Sequence, residues 1–217
     1  MSFKINEIFY SIQGEGSRIG KPCLFVRLQG CNLRCSWCDT IYAQKMDKYS
    51  YILTENELEN EIKRYKCNFI EFTGGEPLLS PELPNFLNNL CNENYTIAIE
   101  TNGSIDFSTL DKRIIKIIDI KCPESCEEDS FLLSNLNFIN KNDEIKFVVA
   151  SQRDLEFTKS KISEYNLSDL CNEIIISPVG NTIHPKDVVK YILDNNLNVR
   201  FQVQLHKIIW GENVKGV

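Results

Sequence analysis

Histidine, methionine and tryptophan are scarce in this chain, with two of each among 217 residues. Both histidines, His184 and His206, lie far from the one dense run of cysteine, so a mixed histidine–cysteine zinc site has no second ligand type at hand. No apolar stretch approaches the roughly 20 residues of a membrane-spanning helix. Net positive charge is also missing: the formal balance is −6, which argues against broad electrostatic attachment to nucleic acid or to a membrane surface. The first residues, MSFKINEIFYSIQGEG, lack the basic start and apolar block of a secretory signal. Repeats, linkers and low-complexity tracts are absent. Cysteine is the exception to this sparseness, but nine is an odd number and a chain of this length needs no disulfide framework. Free thiols fit a reducing compartment, and the expectation is a cytoplasmic protein.

Three of the nine fall within CNLRCSWCDT: Cys31, Cys35 and Cys38, spaced C-x3-C-x2-C. Thiolates at three positions can hold three irons of an iron–sulfur cube and leave the fourth iron open to a reactive ligand. A zinc site, by contrast, usually shows four ligands, often as two C-x2-C pairs. The triplet follows an apolar strand-like run, Pro22–Gly30. A second such run, Cys67–Thr73, ends in Gly74-Gly75-Glu76-Pro77, where glycine allows close backbone approach. Cys122 and Cys126 form a C-x3-C pair without a third partner and read as ordinary loop thiols. Cys23, Cys67, Cys91 and Cys171 lie in or near apolar segments and read as small core hydrophobes.

With 42% apolar residues, one core and one domain spanning 1–217 are expected. Strand candidates are Pro22–Leu28, Cys67–Thr73, Tyr95–Thr101, Arg113–Ile120, Glu144–Ala150, Glu173–Ser177 and Asn198–Leu205. Between them come helical stretches. Thr54–Tyr65 opens on a capping box, Thr54-x-x-Glu57, with Leu58, Ile62 and Tyr65 on one face. Pro81–Asn92 follows a proline, Ser151–Tyr165 follows a serine cap, and Pro185–Asn195 begins on a proline whose missing N–H costs little. Such alternation predicts a parallel sheet with right-handed crossovers and ligands at the carboxyl ends of the strands. The cysteine loop, Gly74-Gly75, Glu100–Gly103 and Asp119–Pro123 all fall at those ends. A complete eight-stranded barrel takes about 250 residues, so the fold class expected is α/β, an incomplete TIM-like barrel of parallel strands with outer helices.

The cysteine triplet with Trp37 before its last member, together with Gly-Gly-Glu-Pro after the next strand, resembles the radical S-adenosylmethionine superfamily. The resemblance implies a 4Fe–4S cluster on Cys31, Cys35 and Cys38 and S-adenosylmethionine chelated to the open iron. Trp37 would meet the adenine, with Cys38 and Asp39 beside it, and Gly75 and Glu76 would meet the methionine amino group. Two further features narrow the match: Ile12-Gln13-Gly14-Glu15-Gly16 with Arg27 on the next strand, and the carboxyl-terminal LHKIIW…GV. Together with CDT and ETNG they resemble the 7-carboxy-7-deazaguanine synthase family almost end to end, with activity in 7-deazapurine and queuosine biosynthesis. The implied substrate is 6-carboxy-5,6,7,8-tetrahydropterin, and magnesium is implied as a third cofactor.

On that resemblance, Ile12, Gln13, Gly14 and Glu15 read the planar donor–acceptor edge of the pterin. Arg27 clamps its carboxylate, for which a guanidinium is suited. Thr73 and His206 contact the substrate, and Val217 places its terminal carboxylate on it. Thr40 of CDT is the implied magnesium ligand, an ion that often takes only one or two protein oxygens. Lys121, Ser177 and Pro178 are expected beside the cofactor; Asp119 and Ile120 depart from the Ser-Pro pattern common in the family. Flavodoxin or ferredoxin as electron donor and a homodimer are further implications. Two alternatives stand against this. A glycyl-radical enzyme activase shares the cluster motif but has no use for IQGEG with Arg27 or for the LHK tail. A non-catalytic iron–sulfur or zinc protein has no use for the open site. Residues 41–53 carry no interpretable motif.

Overall fold

A computed structural model describes residues 1–180, 182–211 and 214–217. Among them the strands are β1 (Ser2–Ile12), β2 (Pro22–Leu28), β3 (Tyr51–Thr54), β4 (Phe69–Gly74), β5 (Thr96–Thr101), β6 (Ile115–Asp119), β7 (Glu144–Val149), β8 (Glu173–Pro178) and β9 (Arg200–Phe201). They form one sheet in the order β3-β1-β2-β4-β5-β6-β7-β8-β9. From β2 to β9 every pairing is parallel, while β1 runs antiparallel to both β2 and β3. The sheet does not close on itself, so the barrel is partial, as its length predicts.

The helices are α1 (Glu55–Lys63), α2 (Leu83–Asn92), α3 (Gln152–Glu164), α4 (Leu167–Leu170), α5 (Pro185–Asp194) and α6 (Leu205–Trp210). Thr54 and Glu57 form the expected reciprocal capping box on α1. Ser151 accepts from the Asp154 N–H at the start of α3, and Pro185 is the first residue of α5. Helix faces carrying Leu58 and Ile62, Leu83 and Leu87, Leu155, and Val188 cover the outer side of the sheet. That side presents alternate residues such as Leu24, Val26, Ile70, Phe72, Ile97, Ile99, Ile145, Phe147, Ile174 and Ile176, all buried. Each contributes on the order of 1.5–3 kcal/mol by leaving water. The intervening residues face inward, and there the pattern changes. A small apolar patch of Ala98, Ile115 and Ile117 occupies the inner face, and Glu71, Thr73, Glu100 and Lys146 project from the same side of their strands.

Two expectations about the elements need correcting. β1 and β3 were not among the strand candidates, because the polar residues of SFKINEIFYSI and the short YILT blur the two-residue period. At the other end, Asn198–Leu205 is mostly not strand: β9 covers only Arg200–Phe201, and Leu205–Trp210 is helical, so His206 is a helix residue. The neighbour there is an irregular loop instead of another strand. Gln202 uses its side-chain amide to bond the backbone of Gly16 twice, through the Gly16 N–H (2.6 Å) and carbonyl (2.9 Å). The Leu205 N–H then donates to the Gly14 carbonyl (3.0 Å). Gln13–Gly16 thereby occupies the open side of the barrel beyond β9.

Candidate active site

One cavity of about 380 Å³ opens at the carboxyl ends of the parallel strands. Every site residue expected from the sequence lines it except Glu76. Register explains the convergence: Arg27 lies beside Thr73 and Leu28 beside Gly74, while Val148 lies beside Ser177 and Val149 beside Pro178.

The cysteine loop leaves β2 and is held from three sides. Gly30 and Cys31 donate to the Ala43 and Gln44 carbonyls (2.7 and 3.0 Å), which gives residues 41–53 a role the sequence did not reveal. Ser36 N–H donates to the Ser125 carbonyl (3.1 Å), and Arg34 N–H donates to Glu127 Oε1 (2.6 Å). The third support is the Gly74-Gly75 turn, where Glu76 N–H donates to the Gly30 carbonyl (2.8 Å). A Cβ on Gly75 would stand 2.2 Å from the Gly30 oxygen and 2.7 Å from Cys31 Cβ. The glycine is therefore required first by contact with the cysteine loop. Glu76 is turned away from the cavity. Its carboxylate, 1% exposed, accepts from Leu78 N–H (3.0 Å), Thr101 Oγ1 (2.9 Å) and Asn102 N–H (2.7 Å), and so fastens this turn to the end of β5. The Glu76 side chain thus serves the turn, and the part of this stretch on the cavity wall is Gly74-Gly75.

The residues present suit a cluster and an adenosyl cofactor. Cys31, Cys35 and Cys38 are half-buried, free and all on the cavity wall. Burial pushes the Cys35 thiol up to about 11 while the Lys121 ammonium pulls it down, a balance that iron resolves by replacing the proton. Among the described residues, no three His, Cys, Asp or Glu side chains gather tightly enough for a single ion. A cluster that offers each thiolate a separate iron makes no such demand. Further along the wall, Asp119 Oδ1 and Ser177 Oγ are buried with no hydrogen-bond partner among the described residues. Buried polar atoms of this kind call for a ligand, and both line the cavity with Trp37, Pro178 and Val179. The other oxygen of Asp119 accepts from Lys121 Nζ (2.7 Å), so the departure from the Ser-Pro pattern creates an ion pair at the wall.

The opposite half of the cavity is built on charge. Lys146 Nζ, with its side chain 6% exposed, bridges Glu15 Oε2 (3.0 Å) and Glu100 Oε1 (2.5 Å). Glu100 Oε2 accepts from Thr73 Oγ1 (3.0 Å), and Gln204 Nε2 donates to Glu15 Oε1 (2.7 Å). Burial would lift the Glu100 carboxyl, yet the Lys146 ammonium holds it below the usual range. Beneath this layer Gln13 donates to Glu71 and accepts from the Glu15 N–H (3.1 Å). Its amide is thus held by the protein at both ends while the residue stays on the cavity wall.

Arg27 pairs through Nε with Glu7 (2.7 Å), which also accepts from the Tyr42 hydroxyl (3.0 Å), and lies between the Phe9 and Tyr42 rings at 5.8 and 5.9 Å. Its Nη groups have no partner among the described residues and are free for a carboxylate. The tail reaches the same wall: Lys215 stands over Tyr42 at 3.8 Å, and Val217 lines the cavity. Glu212 and Asn213 of the tail lie outside the described residues. Across the mouth, Thr40 Oγ1 donates to Asp39 Oδ1 (2.9 Å), and Lys207 reaches Asp39 Oδ2 (3.4 Å). Burial would raise the Asp39 carboxyl, but Lys207 holds it low. The His206 ring fills the space where Gly14 lacks a Cβ, and burial pushes its imidazole below the usual range. Cys122 is buried against Thr158 and Cys126 is exposed, so neither faces the cavity.

Lys146, Glu71, Glu7, Tyr42 and Gln202 escaped the sequence reading. The signal for two of them was present. Charged residues at alternate positions of IEF and EIKFVV, inside apolar strands, mark an inner face that is not core.

A family model described as the Radical SAM superfamily matches residues 25–123. The 7-carboxy-7-deazaguanine synthase of Koribacter versatilis is 37% identical, with 99% of this chain and 100% of its own length aligned. That of Clostridium acetobutylicum is 41% identical, with 100% of both chains aligned. Among solved structures, QueE from Escherichia coli superposes with a TM-score of 0.79 over 95% of each chain at 24% identity, a likeness of fold.

Proposed function

We infer how this cavity works from the family to which the chain belongs, the 7-carboxy-7-deazaguanine synthases of the radical S-adenosylmethionine superfamily. It is a carbon–nitrogen lyase of that class, using a 4Fe–4S cluster and S-adenosylmethionine. The reaction is ring contraction of 6-carboxy-5,6,7,8-tetrahydropterin to 7-carboxy-7-deazaguanine with loss of ammonia. The cluster and S-adenosylmethionine, once bound, would supply the radical chemistry that the substrate's C6 position requires.

The protein's contribution is placement. Cys31, Cys35 and Cys38 would hold the cluster, and Asp119, Lys121, Ser177, Trp37 and Pro178 the adenosyl cofactor along the wall. Arg27, its Nε fixed by Glu7, offers its remaining N–H groups to the pterin carboxylate. Glu15 and the backbone of Ile12–Gly14 take the heterocycle edge, and Lys146 keeps Glu15 and Glu100 in place. Thr73 and His206 complete the substrate wall, and Thr40, whose oxygen keeps lone pairs beside the Asp39 carboxylate, serves magnesium. Val217 reaches the substrate wall from the tail. Flavodoxin or ferredoxin supplies the electron, and the enzyme acts as a homodimer in the cytoplasm. No helix among the described residues is long and apolar enough to cross a membrane.

The observation that carries this reading is the gathering of the cysteine, IQGEG, Arg27 and tail residues into one cavity. Its test is an anaerobic assay of reconstituted enzyme with S-adenosylmethionine, dithionite, magnesium and the carboxytetrahydropterin. Formation of 7-carboxy-7-deazaguanine by mass is expected. Cofactor cleavage without that product would refute the substrate assignment.

A further inference from the structure

Glu71 is the one acid on the cavity wall that the scheme above leaves without work. It projects inward from β4, two residues before Thr73, and is 3% exposed. Oε2 accepts from the Gln13 amide. Oε1 has no hydrogen-bond partner among the described residues, and the side chain lines the cavity. With Oε2 paired to the protein and Oε1 open to the cavity, the carboxyl is placed to meet a ligand.

The charges around it decide its form. Glu15 on the loop, Glu100 on β5 and Glu144 with Lys146 on β7 face Glu71, and the thiol of Cys23 lies below on β2. Lys146 is already shared by Glu15 and Glu100, and Arg18 is taken by Glu144 (2.9 Å). Among the described residues no cation pairs with Glu71, and ionising a buried carboxylate without a partner is costly. Burial, then the neighbouring Glu100, raises its carboxyl well above the ordinary range. Because Oε2 is already the acceptor for Gln13, the proton belongs on Oε1 and the O–H points into the cavity. A neutral acid held this way donates a hydrogen bond at neutral pH.

We propose that Glu71 is a further substrate-binding residue, a neutral carboxyl on the cavity floor that donates from Oε1 to an acceptor heteroatom of the bound heterocycle. This rests on the pterin reading above and adds a group outside the sequence motifs that carry the resemblance. It also assigns Gln13 a purpose, since that amide fixes which oxygen carries the proton.

The test compares E71Q, whose amide can accept from Gln13 and donate into the cavity, with E71M, similar in length but unable to do either. Reconstituted enzyme with S-adenosylmethionine is titrated anaerobically with 7-carboxy-7-deazaguanine by calorimetry, and folding is checked by circular dichroism and thermal melting. E71Q is expected to keep affinity within about threefold, and E71M to lose about tenfold, the size of one buried hydrogen bond. If E71M fails to fold, E71L replaces it. A folded E71M or E71L that binds like the parent overturns the proposal. So does an E71Q as weak as E71M, because the group needed would then be an ionised acceptor. Failure of the parent enzyme itself to bind or form this product would strike the pterin reading instead.

Discussion

Replacing Lys146 with methionine removes the cation shared by Glu15 and Glu100 while keeping the length of the side chain. In the parent structure the ammonium lies 3.0 Å from one carboxylate and 2.5 Å from the other, with its own side chain 6% exposed. Breaking a buried pair by removing one partner costs about 3–5 kcal/mol. The Glu100 side chain keeps 30% exposure to the cavity, which places the loss near 3 kcal/mol. For a chain of this length that lowers Tm by about 6–12 °C. The pH dependence identifies the cause. In the parent, Glu100 is held below its ordinary 4.5, so its share of stability is complete above that pH and fades as pH falls through the depressed value. In K146M the strongest opposition to burial is gone; the Thr73 hydrogen bond and the Lys121 charge remain, and burial, the largest influence on Glu100, raises it, so the folded state keeps a proton that the unfolded chain releases. Stability of the variant then falls as pH rises from 5 to 8, more steeply than the parent's by up to about 1.4 kcal/mol per pH unit. Urea melts at several pH values measure both slopes. Parallel curves for K146M and the parent would refute the argument, whatever the absolute loss.

Three further outcomes are expected. G75A, whose Cβ would meet the Gly30 oxygen at 2.2 Å, should displace the cysteine loop; iron bound per chain after reconstitution should drop several-fold, and full iron content would show that the loop tolerates the shift. Q202L strips two bonds from the backbone of Gly16 and should lower stability by about 2–4 kcal/mol in urea melts. C122S and C126S, whose sulfurs lie off the cavity, should bind as much iron as the parent, and a lower iron content in either would point to a second cluster.

The outer face of this fold was legible because burying an apolar strand under an amphipathic helix imposes a period that any strand must obey. β2 matched its sequence bounds, and β4 to β8 fell within two residues of theirs at each end. The end elements were not legible for a related reason. β1 pairs on both sides but carries Glu7 and Asn6 toward polar partners, and β9 stops where Gln202 begins bonding to a loop, so neither displays the period of a strand under helices. The site divides along the same line. Cysteine spacing and paired glycines are local patterns, and they identified the cluster side. Lys146, Glu71 and Glu7 belong to no local pattern, because each is defined by a partner far along the chain, such as the 131 residues separating Lys146 from Glu15. What a single sequence does show is that these charges alternate with buried apolar residues inside strands. A charge at such a position has no solvent to face and must have a partner or a ligand. Applied to IEFTG and EIKFVV, that rule selects Glu71, Glu144 and Lys146 before any contact is known. Pairing in the structure then accounts for Glu144 with Arg18 and for Lys146 with Glu15 and Glu100. Among the described residues Glu71 has only the Gln13 amide, and the rule leaves its second oxygen to the ligand.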